Sequence, residues 1–176
     1  MIIVEGFDNT GKTTLAEHLS DAFGLPILTR RTTGADGIPF IMETLSILIL
    51  EPLAILERHP VTAEWVYGPI LRDKNALNED PILWDYWVRK LLRSNPLVIY
   101  CRPPDDLVFN FGTRKQMDGV IDKSKSILDR YDLLFWELDN RGFSLIRYDY
   151  SEEGSLPTVD NSVNLYLITR ENERRL

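Results

Sequence analysis

Residues 1–19 read MIIVEGFDNTGKTTLAEHL, and the change of pattern inside this stretch decides the fold. Residues 1–5 form a short, mostly β-branched apolar run, typical of a strand that is buried on both faces of a parallel sheet. From Lys12 to about Phe23 apolar residues recur at helical spacing, and Gly24 is typical of a helix end. The stretch therefore predicts a strand, a glycine-containing loop and a helix.

The loop between this strand and this helix has the pattern of a phosphate-binding loop. Residues 6–13, here called the phosphate loop, satisfy G-x-x-x-x-G-K-[ST] in full. Gly6 and Gly11 permit a tight path in which successive N–H groups and the positive helix end point at an anion. Lys12 is expected to reach the β- and γ-phosphates of ATP, and the Thr13 hydroxyl to bind Mg²⁺. The predicted ATP-binding residues are Gly6, Asp8, Asn9, Thr10, Gly11, Lys12, Thr13 and Thr14.

Beyond residue 24, apolar runs alternate with helical patterns. Strand candidates are 25–30, 53–58, 96–104 and 143–151, and helix candidates are 40–50, 62–67, 81–94 and 120–142. Strands that alternate with helices indicate an α/β fold with a mainly parallel sheet, here of about five strands in a three-layer P-loop NTPase arrangement. Ligands of such folds bind beyond the carboxyl ends of the strands. We expect one domain over residues 1–176.

Composition and charge narrow the classes of partner. The chain has 176 residues, a formal charge of −7 and a pI near 4.9, which argues against a broad basic surface for nucleic acid. The most apolar later run, residues 45–56, is interrupted by Glu51 and Pro52 and is shorter than the roughly 20 residues of a membrane span. The single cysteine, Cys101, excludes an internal disulfide and fits a reducing compartment. We expect a cytoplasmic protein without a membrane or nucleic-acid partner.

Arginines follow two of the predicted strands. Glu57 and Arg58 end the third strand, and Arg30 and Arg31 follow the second. A kinase that acts on an anionic acceptor needs arginines to neutralise and orient the acceptor phosphate. Because the carboxyl ends of parallel strands share one edge of the sheet, both sets could face the phosphate loop.

These segments together resemble a known family. EGFDNTGKTT, LTRR, LERHPVTAEWVYGPILR, VIYCRPP, ILDRYDLLF and IRYDY, in this order, are similar to the thymidylate kinase family of P-loop nucleoside monophosphate kinases, particularly its compact phage and bacterial members. The resemblance spans residues 1 to about 150. It implies transfer of the γ-phosphoryl group of ATP, with Mg²⁺, to a deoxynucleoside monophosphate. The leading acceptor is dTMP; dGMP, a broad set of deoxynucleotides or a modified base are alternatives. A phage-encoded protein would act in the host cytoplasm.

The resemblance also implies roles for single residues. Arg58 would bind the acceptor phosphate. Glu57 stands where the family usually has aspartate and keeps its negative charge. Thr13 and Glu57 are therefore the candidates for binding Mg²⁺. Tyr67 would lie along the acceptor base or sugar, although core packing explains a tyrosine there equally well. The implied acceptor-binding residues are Asp8, Arg30 or Arg31, Glu57, Arg58, Tyr67 and Arg72.

The catalytic cation of the family lies either in the phosphate loop or in a lid. The loop position is Asn9 here, which moves the expected cation to a lid at residues 105–120, in which Gly112 and Gly119 flank the basic segment. Arg114 and Lys115 are the candidates there, and Arg102, directly after a strand, competes with them. The resemblance thus implies three catalytic residues, which are Lys12, Arg58 and Arg114.

Two other functions and an assembly remain open from the sequence. A P-loop switch or hydrolase explains the phosphate loop equally well, but the [NT]KxD base motif of GTPases is not found. A nucleotide-binding relative without catalysis is a third hypothesis. The helix at 81–92 carries aromatic and aliphatic residues on one face, including Trp84 and Trp87, which indicates core packing or a subunit interface. A homodimer through this helix and the helix at 40–50 is a further expectation.

Overall fold

The computed structural model describes residues 1–29, 53–71, 81–112, 116 and 118–173. Five strands form one sheet in the order β2-β3-β1-β4-β5, and every neighbouring pair is parallel. The strands are β1 (Ile2–Glu5), β2 (Ile27–Thr29), β3 (Ile55–Glu57), β4 (Leu97–Cys101) and β5 (Ser144–Tyr148). The predicted α/β fold with a parallel central sheet of about five strands is confirmed.

Six helices are described. They are α1 (Lys12–Phe23), α2 (Pro60–Leu71), α3 (Pro81–Arg93), α4 (Asp105–Val108), α5 (Ser124–Asn140) and α6 (Ser155–Glu173). Helix α2 is longer than the predicted 62–67 segment at both ends. It begins earlier because Pro60 occupies its first turn, where proline costs no hydrogen bond. The predicted helix at 40–50 lies outside the described residues. Within the described part of the chain, no helix is long and apolar enough to cross a membrane.

Alternate residues of the strands face two separate apolar cores. Ile2 and Val4 of β1 pack with α1 and α6 on one face of the sheet. Ile3 packs on the other face with α2, α3 and α5. Since successive side chains of a strand point to opposite faces, this alternation gives three layers, with the sheet in the middle.

Helix α3 packs into the second core, as its pattern predicts. Trp84, Trp87, Val88 and Leu91 are all buried, and Trp84 stacks on Trp65 of α2 at 5.2 Å between ring centroids. The core interpretation of this helix is therefore confirmed.

Candidate active site at the carboxyl edge of the sheet

The carboxyl ends of β1, β3 and β4 lie at one edge of the sheet, and a functional candidate follows each of them. The phosphate loop follows β1, Arg58 follows β3 and Arg102 follows β4. Strand β1 pairs with both β3 and β4, so the phosphate loop lies between the other two segments. The predicted shared edge thus holds for the phosphate loop and Arg58, whereas Arg30 and Arg31 lie outside the described residues.

The phosphate loop has a backbone path that its two glycines make possible. Gly6 has a φ of +145°, and a side chain there would collide with the carbonyl oxygen of Cys101. Gly11 has a φ of +78°, and a Cβ there would lie 3.0 Å from Cδ1 of Tyr150. The buried Thr10 hydroxyl donates a hydrogen bond to the carbonyl of Phe7 at 2.8 Å. These constraints fix the loop before any ligand arrives.

Lys12 extends along the inside of the phosphate loop. Its side chain is 5% exposed, its ammonium donates to the carbonyl oxygen of Phe7, and Oγ1 of Thr10 lies 3.4 Å away. Burial lowers the pKa of Lys12 to about 8, and the nearby positive charge of Arg58 acts in the same direction. An anion bound by the loop would supply the negative charge that this buried ammonium needs.

Arg58 is joined to the phosphate loop through Asp8. Its guanidinium pairs with Oδ1 of Asp8 and lies 5.3 Å from the centroid of the Tyr67 ring. The Tyr67 hydroxyl donates to Oδ2 of Asp8 at 3.2 Å, and burial raises the pKa of Tyr67, which keeps this donor protonated. Tyr67 is 4% exposed and contacts the ring of Tyr131 edge-on. It is thus a core residue whose hydroxyl reaches the site, and its contact with the acceptor base or sugar stays a prediction.

Thr13 and Glu57 form the second link between the phosphate loop and β3. The Thr13 hydroxyl donates to Oε1 of Glu57 at 2.8 Å. Hydroxyl and carboxylate oxygens are ligands that suit Mg²⁺, which usually takes its other ligands from phosphate and water. Among the described residues, no group of three or more histidine, cysteine, aspartate or glutamate side chains could hold a metal ion. The pair therefore fits a metal ion that arrives with a nucleotide.

Asn9 has a contact that the sequence analysis missed. Its side-chain amide donates to the carbonyls of Leu107 at 3.0 Å and Asn110 at 2.9 Å, at the end of α4. Asn9 has a φ of +64°, a conformation that asparagine tolerates better than most residues. The sequence indicates that asparagine can adopt this conformation. It does not indicate hydrogen-bond partners about 100 residues away. The side chain attaches the phosphate loop to the segment after β4.

Arg102 is held by two carboxylates. Its Nε lies 3.0 Å from Oδ1 of Asp132, and its Nη1 lies 2.8 Å from Oδ1 of Asp105. The Tyr100 hydroxyl also donates to Asp132, at 2.6 Å. These ion pairs attach the end of β4 to α4 and α5. Moving Arg102 to another anion would break both pairs, which weakens its candidacy as the lid cation.

The remaining candidates divide between exposed and undescribed positions. Thr13 and Thr14 are exposed at the start of α1. Arg30, Arg31, Arg72, Arg114 and Lys115 lie outside the described residues, so their roles stay predictions.

Comparisons with known proteins show the fold of this chain. No family model matches it, and neither does any curated protein. Among solved structures, it is similar to YorR of Bacillus subtilis in complex with phosphorylated GDP, at 20% identity, 97% coverage of both chains and a TM-score of 0.72. It is also similar to the deoxyadenosine kinase of M. mycoides with dCMP and dCDP, at 14% identity, 94% and 98% coverage and a TM-score of 0.56.

A third similar structure is the thymidylate kinase of Candida albicans, at 14% identity, 97% coverage of this chain, 92% of that chain and a TM-score of 0.52. The full-length coverage and the parallel sheet place the chain in the P-loop kinase α/β fold.

Proposed function

We propose that this chain is an ATP-dependent deoxynucleoside monophosphate kinase, with dTMP as the leading acceptor. The observation that carries the proposal is the convergence of two buried or half-buried cations on one loop. Lys12 lies inside the phosphate loop, and Arg58 meets the same loop from the neighbouring strand through Asp8. Phosphoryl transfer between two anions can use both cations, with Lys12 on the donor phosphates and Arg58 on the acceptor phosphate.

The donor side of the site would bind ATP through the phosphate loop. Backbone N–H groups and Lys12 would hold the β- and γ-phosphates. Thr13 and Glu57, already 2.8 Å apart, would hold the Mg²⁺ that comes with the nucleotide and balances its charge. Asn9 would keep the loop attached to the end of α4 while the nucleotide binds.

The acceptor side would use Arg58, with the undescribed Arg30 or Arg31 and Arg72 as further contacts. The guanidinium of Arg58 would bind the acceptor phosphate and Asp8 at the same time. Its ion pair with Asp8 would keep it directed towards the phosphate loop. An oxygen of the acceptor phosphate then attacks the γ-phosphorus, the bond from that phosphorus to the β,γ-bridging oxygen breaks, and ADP leaves. This oxygen is already anionic, so the step needs no general base. Arg114 is the proposed cation on the transferred group.

A nucleoside acceptor is the second candidate, because the similar protein of M. mycoides is a deoxyadenosine kinase. A nucleoside hydroxyl must lose a proton, so that reaction would need a carboxylate base near the phosphate loop. Asp8 and Glu57 are both carboxylates at the phosphate loop, but Asp8 already accepts from Arg58 and Tyr67, and Glu57 accepts from Thr13. The contacts of these two carboxylates therefore favour the monophosphate.

An acceptor screen tests the proposal. We expect dTMP to accelerate ADP formation from ATP·Mg²⁺ at least about 100-fold over the rate without acceptor, as transfer outcompetes hydrolysis. The panel contains the four common deoxynucleoside monophosphates and the matching deoxynucleosides, with ADP release measured for each. Acceleration by nucleosides alone would establish the second candidate. A rate that no acceptor changes would refute both candidates.

The affinity for ATP should depend on pH through Lys12. The free protein has a Lys12 pKa of about 8, and bound phosphates would raise it, so above pH 8 binding must take up a proton. We expect affinity to be flat below this pKa and to fall by up to about tenfold per pH unit above it. Calorimetric titration with ATP·Mg²⁺ measures the profile, and Lys12→Met is the control because its side chain does not titrate. An identical decline in this variant would contradict the assignment.

A further inference from the structure

Glu5 is a buried acid at the end of β1, directly before the phosphate loop, and nothing above gives it a role. Its side chain has no exposed surface. Burying a carboxylate is costly unless specific partners compensate it, so the position demands a reason. Leu or Ile would complete an apolar strand of the same length without this cost.

The partners of Glu5 lie immediately after Arg58. Oε1 accepts the backbone N–H of His59 at 2.5 Å and the hydroxyl of Thr62. Oε2 is buried and has no hydrogen-bond partner within the described ranges. Both donors are more than 50 residues away in sequence, and both are about 1% exposed. Glu5 therefore binds the turn that connects Arg58 to helix α2.

This turn contains a backbone conformation that needs support. Arg58 has a φ of +63°, which is unfavourable for a residue with a long side chain. Its N–H donates to the carbonyl of Val4 at 3.0 Å, and the next N–H, of His59, donates to Glu5. Two consecutive residues of β1 thus hold two consecutive N–H groups of the turn.

The carboxylate also lies near both cations of the site. Burial raises the pKa of Glu5, and the Thr62 hydrogen bond and the charges of Arg58 and Lys12 oppose that rise. The Thr62 hydroxyl also lies 2.7 Å from the carbonyl oxygen of His59. It therefore links the first turn of α2 to both Glu5 and His59. Helix α2 carries Tyr67, whose ring centroid lies 5.3 Å from the Arg58 guanidinium. Backbone and side chain of Arg58 are therefore both fixed from β1 and the phosphate loop.

We propose that Glu5 is a positioning residue that holds the Arg58–His59 turn in the left-handed conformation and so directs the guanidinium at the acceptor phosphate. It touches neither nucleotide. This inference rests on the proposed function for the role of Arg58, whereas the holding of the turn by Glu5 stands independently of it.

The test compares Glu5→Ala, Glu5→Gln and Thr62→Val with a matched control. Glu137→Gln is the control, because Oε1 of Glu137 also accepts from a buried N–H, that of Trp84 at 3.1 Å, but on α5 and away from the loop. For Glu5→Ala we expect kcat/KM for dTMP to fall about 30-fold, while KM for ATP changes less than about threefold. Glu5→Gln keeps Oε1 and should recover most of the loss. Thr62→Val should show a smaller loss of the same kind.

Two further measurements keep the outcome decisive. Hydrogen exchange of the amides of Arg58 and His59, without substrate, should accelerate in Glu5→Ala and Thr62→Val and stay unchanged in Glu137→Gln. If Glu5→Ala does not fold, the faster exchange expected in Thr62→Val tests the same inference. Equal losses for ATP and dTMP, or unchanged exchange in both variants, would overturn the inference. If the wild-type protein phosphorylates no monophosphate, the proposed function fails, while the exchange result still decides whether Glu5 holds the turn.

Discussion

Replacement of Lys12 by methionine is expected to lower the rate of ADP formation by about 1000-fold, because the charge on the transferred phosphoryl group loses its nearest protein cation. Methionine keeps the length and most of the volume of the buried side chain, so the loss reports the ammonium rather than a cavity. Lys12→Arg should recover little of the lost rate. Lys12 is 5% exposed inside the phosphate loop, and a guanidinium is too large for the space that its ammonium occupies.

The stability of Lys12→Met separates a chemical effect from misfolding. The pKa of Lys12 falls from 10.5 to about 8 on folding, so the unfolded chain binds more protons between these values. Stability of the wild-type protein therefore rises with pH across that window, and the full cost of burying the charge is present below pH 8. Lys12→Met removes this cost and should be at least as stable at pH 7, measured by thermal unfolding.

Lys125→Ala is the control for this pair of measurements. Lys125 is 79% exposed on α5 and forms an ion pair with Asp129, so both activity and stability should be unaffected. Activity of Lys12→Met within about tenfold of wild type would contradict the assignment of Lys12 to the phosphates.

The strands and the phosphate loop were predictable because their signals are local. β1 as far as Val4 and all of β4 are continuous apolar runs, and the glycine pattern of residues 6–13 specifies a strand, a turn and a helix within a few residues. Helix α6 was missed. Its buried residues, Val159, Val163 and Tyr166, are spaced by four and three, but polar residues and Pro157 in the first turn dilute this pattern.

The positions of Lys12 and Arg58 close to strand ends were predictable from the sequence, but their contacts were not. Lys12 and Arg58 lie where strand ends place them. That Asp8 and Tyr67 hold Arg58, and that Asn9 binds the end of α4, depends on contacts between residues about 50 to 100 positions apart. Such contacts follow from the order of strands in the sheet, which no short motif encodes. Arg102 illustrates the same limit, because its two carboxylate partners lie on other elements.

Replacement of Arg58 by alanine is expected to lower kcat/KM for dTMP by about 1000-fold and to change the dissociation constant of ATP by less than about threefold. The difference between the effects on dTMP and on ATP follows from the contacts of Arg58. Arg58 reaches the phosphate loop through Asp8, whereas the loop holds its own shape through Thr10 and Lys12. Steady-state kinetics with dTMP and calorimetry with ATP measure the two quantities separately.

Arg58→Lys and a change of acceptor sharpen the result. Lysine keeps the charge but cannot bridge Asp8 and a phosphate with a planar fork, so we expect recovery of no more than about tenfold. The slow hydrolysis of ATP by water should be insensitive to Arg58→Ala, since water carries no phosphate for the guanidinium to neutralise. Arg89→Ala is the matched control, because Arg89 is 72% exposed and pairs with Asp85 on the surface of α3. If hydrolysis and transfer fell together in Arg58→Ala, Arg58 would act on the donor phosphates, and the acceptor assignment would be wrong.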